Sequence, residues 1–352
     1  MTILVSVLLP VFNAASTLGL ALESIRRQRG VELECVAVDD GSSDGSLRCL
    51  EQAVARDPRV RVLPIEHRGL VGALNHGLAY CRGEYVARMD ADDIMHSARL
   101  TSQAKLLEAH PELAGVGCHV RIFPRPARGC LAADRSDQGR GAQGRRAYER
   151  WLNSLQQARD VARGRFIECP LAHPTWMLRR AVFQRFGYRD QGWPEDYDLL
   201  LRLLSSGHAL GIVPRRLLFW RDTPGRLSRS SSVYSDERFV AAKACFLASS
   251  WLEQHPRYIL WGYGSTGRAL CRALARHGRQ PHAIVEVHPG RVGQRIQGAP
   301  VIGPEGLLEA RRAAGGEIPI IVSVARSGPR SMVRAALAEM QLRELVDYVC
   351  AA

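Results

Sequence analysis

The 352-residue chain has no run approaching the roughly 18 uninterrupted apolar residues that cross a bilayer, which excludes a membrane-spanning helix. Its nine cysteines are scattered, with no CxxC pair and no His/Cys cluster at zinc-ligand spacing. That pattern excludes a disulfide framework and a zinc ribbon, and it predicts a reduced, cytoplasmic compartment. Cys35, Cys81 and Cys169 are then expected as small buried hydrophobes. The N-terminus, MTILVSVLLPVFNAAS, lacks a basic leader and reads as a first strand, not a signal peptide. Aromatics make up only 7%, and no basic helix interleaves with them, so nucleic acid is not an expected partner.

What is present fits a globular protein of two domains. Apolar residues make up 46% and charged residues 24%, both ordinary values. The net charge of +13 is unevenly spread. Residues 1–120 sum to −3, residues 121–235 to +11 and residues 236–352 to +5, almost all of the cations being arginine. The middle third therefore offers a basic surface to an acidic partner, such as a phosphorylated substrate or an anionic membrane face.

Strand and helix periods alternate through the first third. ILVSVLLPVF, ECVAVDD, RVRVLPI and EYVARMD read as strands. STLGLALESIRRQ (with Ser16 as N-cap), GSLRCLEQAVARD and GLVGALNHGLAYC read as helices between them. The order predicts a largely parallel sheet covered by helices on both faces, with ligands beyond the carboxyl ends of the strands. Residues 121–147 read as a loop or flexible insertion. Helical periodicity returns in AYERWLNSLQQARDVA and in EDYDLLLRLLSSG, whose first turn is acidic. Residues 222–236 are polar and rich in Ser and Arg. A helix over 236–254 leads to a second αβ pattern. The expected divisions are 1–235, a helical linker 236–255, and 256–352.

Two acidic clusters fall at predicted strand ends. YVARMDADDIM holds Asp90, Asp92 and Asp93, carboxylates that repel one another unless something positive joins them. A strand-end Asp-x-Asp suits Mg²⁺ or Mn²⁺, which take few protein carboxylates and let phosphate oxygens and waters complete the octahedron. Read alone, an Asp-x-Asp is more often a solvated acidic turn capping the next helix. VAVDDGSSDGS holds Asp39 and Asp40, where a carboxylate can accept from the imide N–H of uracil; Asp44 reads as the cap of the next helix.

LLPVFNAASTLGLALESIRRQ, VAVDDGSSDGS, GLVGALNHGLAYCRGEYVARMDADD and WPEDYDLLLRLLSSG together resemble a family 2 (GT-A fold) inverting glycosyltransferase, over about residues 3–235. The resemblance implies a nucleotide-sugar donor, usually a UDP-sugar, held by Pro10, Asp39 or Asp40, and Asp90. It implies a metal ion on Asp92 and a base from the Glu195-Asp196 pair, with Asp196 favoured and Asp198 as the helix cap. The His-Pro-Thr arm at His173 resembles a stretch bordering the acceptor pocket, although a packed turn histidine is an equal reading. Arg221 is expected to reach a phosphate, with Arg226 and Ser228 as weaker candidates. Arg145, Arg146, Arg179 and Arg180 are candidate contacts for an anionic, lipid-diphosphate-linked or other glycan acceptor met peripherally at a membrane surface.

In the last third, Gly262, Gly264 and Gly267 form G-Y-G-S-T-G between a strand and a helix, and Glu286 lies 19 residues beyond Gly267. This stretch resembles the small Rossmann-like domain of sugar acyltransferases and polysaccharide-synthesis enzymes. It implies an accessory nucleotide or nucleotide-sugar site, beside a purely structural reading. The whole predicts an α/β GT-A protein with a second, smaller Rossmann-like domain: a Mn²⁺- or Mg²⁺-dependent glycosyltransferase of surface-polysaccharide synthesis. The competing expectations are an NAD-linked oxidoreductase acting through the C-terminal domain and a non-catalytic nucleotide-sugar-binding protein.

Overall fold

The structure is a computed structural model that describes residues 4–124, 140–223, 226, 231–315 and 318–352. Its internal contacts divide the chain into two compact units. One comprises residues 1–161, 170–190 and 206–230, and the other 162–169, 191–205 and 231–352. No single cut along the chain separates them.

In the first unit, strands β1 (Leu4–Val11), β2 (Glu32–Asp40), β3 (Val60–Ile65) and β4 (Tyr85–Arg88) alternate with helices α1 (Ala15–Arg26), α2 (Ser46–Arg56) and α3 (Gly69–Leu78). Further on come β5 (Ile94–Met95), α4 (Arg99–Ala109), β6 (Leu113–Pro124), α5 (Arg140–Leu152), the start of α6 (Ala158–Gly164), β7 (Met177–Arg179), α7 (Arg180–Phe186) and, after a helix of the second unit, β8 (Ala209–Asp222). The eight strands form one sheet in the order β3-β2-β1-β4-β7-β6-β8-β5. β3, β2, β1 and β4 are parallel, as the alternation predicts. The other half is mixed, because β7 runs antiparallel to both β4 and β6, and β5 antiparallel to β8. β1 and β2 are buried almost throughout, which is why they read as near-continuous apolar runs.

Two local expectations change. Residues 121–147 are not simply a loop: β6 continues to Pro124 because it pairs with β8 as far as Asp222, and α5 begins at Arg140. Residues 125–139 lie outside the described residues. The helical period of AYERWLNSLQQARDVA breaks between α5 and α6. There Asn153 accepts from the Val120 amide and donates to the Val120 carbonyl, turning the chain onto β6.

In the second unit, α8 (Glu195–Ser205) packs with α9 (Asp236–Phe246), where the Tyr197 and Phe239 rings lie 5.3 Å apart. Beyond them stand β9 (Arg257–Trp261), α10 (Ser265–Ala275), β10 (Gln280–Val285), β11 (Arg295–Ile296), β12 (Ala299–Ile302), α11 (Leu307–Ala313), β13 (Ile320–Val322), α12 (Ser327–Glu339) and β14 (Tyr348–Cys350). The sheet order is β11-β12-β10-β9-β13-β14, parallel except for the β11–β12 hairpin. β9 is central, and the strands that follow it are laid down first on one side and then on the other, the topology of a doubly wound sheet. Among the described residues no helix is long and apolar enough to cross a membrane.

Candidate active site

Strand β1 brings the two acidic clusters together. Its register sets Val11 beside Asp39, and β4 lies on its other edge, so Asp39, Asp40 and Asp90 all leave the sheet at its carboxyl end. Pro10 is buried in β1 opposite Val38. The loops here lace together. The Asn13 amide donates to Ser42 Oγ (3.0 Å), and the Ser43 amide donates to Asn13 Oδ1 (2.9 Å). Asp44 accepts from the Ala15 amide at 3.1 Å and from the Ser46 amide at 2.9 Å, so one carboxylate caps both α1 and α2. Ser16, expected to cap α1, is exposed and makes no such bond. Burial pushes the Asp44 carboxyl up, but the Ser46 hydroxyl and the two amides outweigh it and hold it below the usual range.

The adjacent aspartates part company. Asp40 accepts from the Arg68 amide at 2.7 Å and faces His67 Nδ1 at 2.9 Å, and His67 stacks on Phe12 at 4.4 Å. Asp39 is 3% exposed; its Oδ2 takes a long 3.4 Å bond from the Ser42 amide, and its buried Oδ1 has no partner. The turn after them needs Gly41 (φ 70°), where an added Cβ would lie 2.9 Å from the His67 nitrogen.

Asp90, Asp92 and Asp93 each offer a carboxylate oxygen within 4.8 Å of the others. Asp93 is fully buried: its Oδ1 accepts from the Arg221 amide at 2.7 Å, while Oδ2 has no partner. Burial, and then the Asp90 charge, pushes the Asp92 carboxyl up to about 6; burial, Asp90 and Asp92 push Asp93 well above the ordinary range. Three hard oxygen donors, one of them buried with an oxygen to spare, fit a Mg²⁺ or Mn²⁺ ion.

Two arginines escaped the sequence reading. Arg88, two residues before Asp90 and so on the same face of the extended chain, ion-pairs with it while 2% exposed. Arg99 is fully buried, donating to the Arg88 carbonyl at 2.8 Å and to Gln103 at 3.0 Å. The available signal was a charge inside the apolar strand YVARM.

Most other predicted residues have partners within the protein. Arg221 is 6% exposed, donates from Nε to the Asp92 carbonyl at 2.6 Å and lies over the Phe123 ring at 4.7 Å. Its Nε thus ties the acidic loop to β8. Arg226 stacks 4.3 Å over Trp220, and its charge reaches Asp92; Ser228 lies outside the described residues. His173 is buried, with Nε2 2.8 Å from the Tyr188 hydroxyl and its ring edge-on to Trp176. Of the basic candidates, Arg145 ion-pairs with Asp222. Arg179 donates to the Leu113 and Leu107 carbonyls and Arg180 to that of Gly83, and Arg146 is exposed.

In the second unit, the first turn of α8 sorts its carboxylates. Glu195 is buried and accepts from the Tyr234 hydroxyl at 2.6 Å. Asp198 is buried between Trp193 Nε1 (3.1 Å) and Arg202 Nε (2.7 Å). Asp196 is the partly exposed member, with Oδ1 accepting from the Tyr197 amide. Gly262, Gly264 and Gly267 join β9 to α10, and Glu286 Oε1 accepts from the Tyr263 amide at 2.6 Å.

Residues 6–187 match the family model described as glycosyl transferase family 2. The amylovoran biosynthesis glycosyltransferase AmsE of Erwinia amylovora is 30% identical over 217 residues, covering 60% of this chain and 74% of AmsE. Residues 1–349 of S. aureus TarS, solved with UDP-GlcNAc, match with a TM-score of 0.51 at 17% identity, over 79% of this chain and 72% of that fragment. The mannosyltransferase PcManGT of Pyrobaculum calidifontis, solved with GDP-Man and Mn²⁺, matches with a TM-score of 0.50 at 18% identity, over 97% and 81%. At these identities the two structures speak for the fold.

Proposed function

The chain belongs to glycosyl transferase family 2, a transferase of GT-A fold, and from that premise we propose that it moves a sugar from a nucleoside-diphosphate donor to a glycan or lipid-linked acceptor in polysaccharide synthesis. The observation that carries this reading is the pair of buried, partnerless oxygens, Asp39 Oδ1 and Asp93 Oδ2, in two clusters at one end of the sheet. Asp39 is the residue to accept from a nucleobase N–H, because Asp40 already serves Arg68 and His67. A uracil imide offers that donor, in line with TarS and UDP-GlcNAc; a guanine, as in the PcManGT complex, is the competing base.

Asp90 and Asp92 would hold a divalent cation, with Asp93 beneath them. A bound cation there offsets the charge that builds on a departing nucleoside diphosphate. Arg88 holds Asp90 in place, and Arg221 fixes the loop through the Asp92 carbonyl. Asp196 is the candidate base by its order along the chain and its partial exposure. It would take the acceptor hydroxyl's proton as the oxygen attacks the anomeric carbon from the face opposite the leaving diphosphate, inverting the configuration.

The test is a panel of UDP-, GDP- and dTDP-sugars with and without Mn²⁺, read as thermal stabilisation and as nucleoside-diphosphate release. A metal-dependent response to one nucleotide, lost in Asp39→Ala, is expected. No response to any of them overturns the reading.

A further inference from the structure

The second unit contains a corner rich in donors and poor in acceptors. At its centre is the turn from β9 into α10. Gly262 sits at φ 95°, where an added Cβ would lie 2.9 Å from Val324 Cγ2 and 3.0 Å from the Ser323 carbonyl. A Cβ on Gly267 would lie 2.3 Å from the Gly262 carbonyl oxygen. Both glycines are therefore fixed by close approach of backbone to backbone. Gly264 differs: it is the N-cap of α10, has nothing within 4 Å of an added Cβ, and supplies no capping side chain.

The first amides of an uncapped helix are unsatisfied and carry the positive end of its dipole. Tyr263 is already provided for by Glu286, which leaves the Ser265, Thr266 and Gly267 amides of the first turn without a capping side chain. A second observation points to the same corner from another strand. Ser323, just past β13, is 4% exposed, and its Oγ has no hydrogen-bond partner. That oxygen lies 3.3 Å from the Cβ position of Gly267, so the hydroxyl is directed at the first turn of α10. A buried hydroxyl without a partner is costly, and one beside three uncapped amides shares their need for an acceptor. β9 and β13 are neighbours at the point where the strand order reverses, the crevice in which open α/β sheets receive ligands.

We propose that the second unit holds an anion site of its own, formed by the Ser265–Gly267 amides and the Ser323 hydroxyl, that takes a phosphate group, free or borne on a nucleotide. A tetrahedral oxyanion supplies enough acceptor oxygens for all of these donors, and the helix dipole favours its charge. Gly264 keeps the entrance clear. None of these residues has a part in the transfer reaction proposed above.

The test is hydrogen–deuterium exchange on the full chain with inorganic phosphate, UDP or NAD⁺, followed in peptides spanning 262–268. Protection there by any of the three is expected; response to the nucleotides alone identifies the carrier, and response to phosphate equally well identifies a free anion. Peptides spanning 36–44 and 85–95 report the donor reading separately. In Ser323→Ala, binding at 262–268 should weaken about ten-fold, as for the loss of one hydrogen bond to a charged group. That variant removes a partnerless hydroxyl, so its melting temperature should hold or rise. Gly264→Asp provides its own carboxylate cap, so protection should become permanent and independent of ligand. No protection at 262–268, or protection unchanged in both variants, overturns the proposal.

Discussion

Asp39 and Asp40 are neighbours in sequence, both 3% exposed, and opposite in condition: Asp40 is held by Arg68 and His67, while Asp39 keeps a buried oxygen without a partner. A carboxylate whose bonds are made supports the fold, and one whose bonds are unmade waits for a ligand. Asp40→Ala is expected to cost about 1.5–3 kcal/mol of stability, the net worth of hydrogen bonding to a charged group. Asp39→Ala should cost little stability and lose nucleotide binding. Chemical denaturation beside a nucleotide titration of both variants checks this, and matching profiles would refute it.

Asp92→Asn should abolish Mn²⁺-dependent stabilisation by the nucleoside diphosphate. The metal-free protein should hold its stability or gain, because one of three crowded charges is gone. Melting curves with and without Mn²⁺ and nucleotide decide the matter; undiminished metal dependence would remove Asp92 from the ligand set.

Asp196→Asn should leave donor binding nearly intact and cut turnover by about 10²–10⁴-fold, the usual range for losing a general base. Glu195→Gln instead disturbs the bond to Tyr234 and should show mainly as lower stability. Turnover and binding constants for both variants separate the two roles. A loss of only a few-fold in Asp196→Asn moves the base elsewhere.

Acid should weaken the fold through Glu34. Burial pushes this carboxyl up, but the Ser6 hydroxyl (2.6 Å), the Arg82 amide (2.6 Å) and the Arg82 guanidinium together hold it below the ordinary range. A depressed folded-state pKa gives stability that is complete above the unfolded value of about 4.3 and is lost as pH falls through the folded value. Glu34→Gln should therefore be less stable at neutral pH, with the difference shrinking below about pH 4. Urea midpoints across that range provide the measurement, and a constant difference would exclude Glu34 as the titrating group.

The basic middle third should draw the protein to anionic surfaces through exposed side chains such as Arg146 and Arg150. Co-sedimentation with anionic vesicles should fall steeply as salt rises, since exposed charges are screened over about 8–10 Å. Arg146→Ala with Arg150→Ala should weaken it further, whereas Arg145, paired with Asp222, contributes less. Equal binding to neutral vesicles at all salt concentrations would dismiss the membrane partner.

The parallel half of the first sheet was legible because β1 and β2 are buried on both faces and announce themselves as apolar runs. The acidic clusters were legible because carboxylates at strand ends are conspicuous. The antiparallel insertion of β7 between β4 and β6 was not, since three residues carry no period. That Asp40 is held and Asp39 is not was illegible for a different reason: the partners of Asp40 are His67 and Arg68, 27 and 28 residues away. Arg179 and Arg180 looked like surface cations, yet their guanidinium groups serve backbone carbonyls that only the fold brings near. Charge can be counted along a chain, but its employment depends on the neighbours.

The discontinuity of the second unit bears on how this protein can be divided. Its residues 191–205 carry α8, and α8 rests on residues contributed after position 231, through Tyr234 on Glu195 and Phe239 on Tyr197. A division at residue 235 would therefore cut through this unit. A fragment ending at 235 keeps Asp196 in its sequence but loses α9, against which the helix bearing it is packed. Swapping C-terminal regions between relatives would replace the support of α8 along with the accessory sheet. The chain after residue 231 thus acts as a foundation for the helix that bears the candidate base.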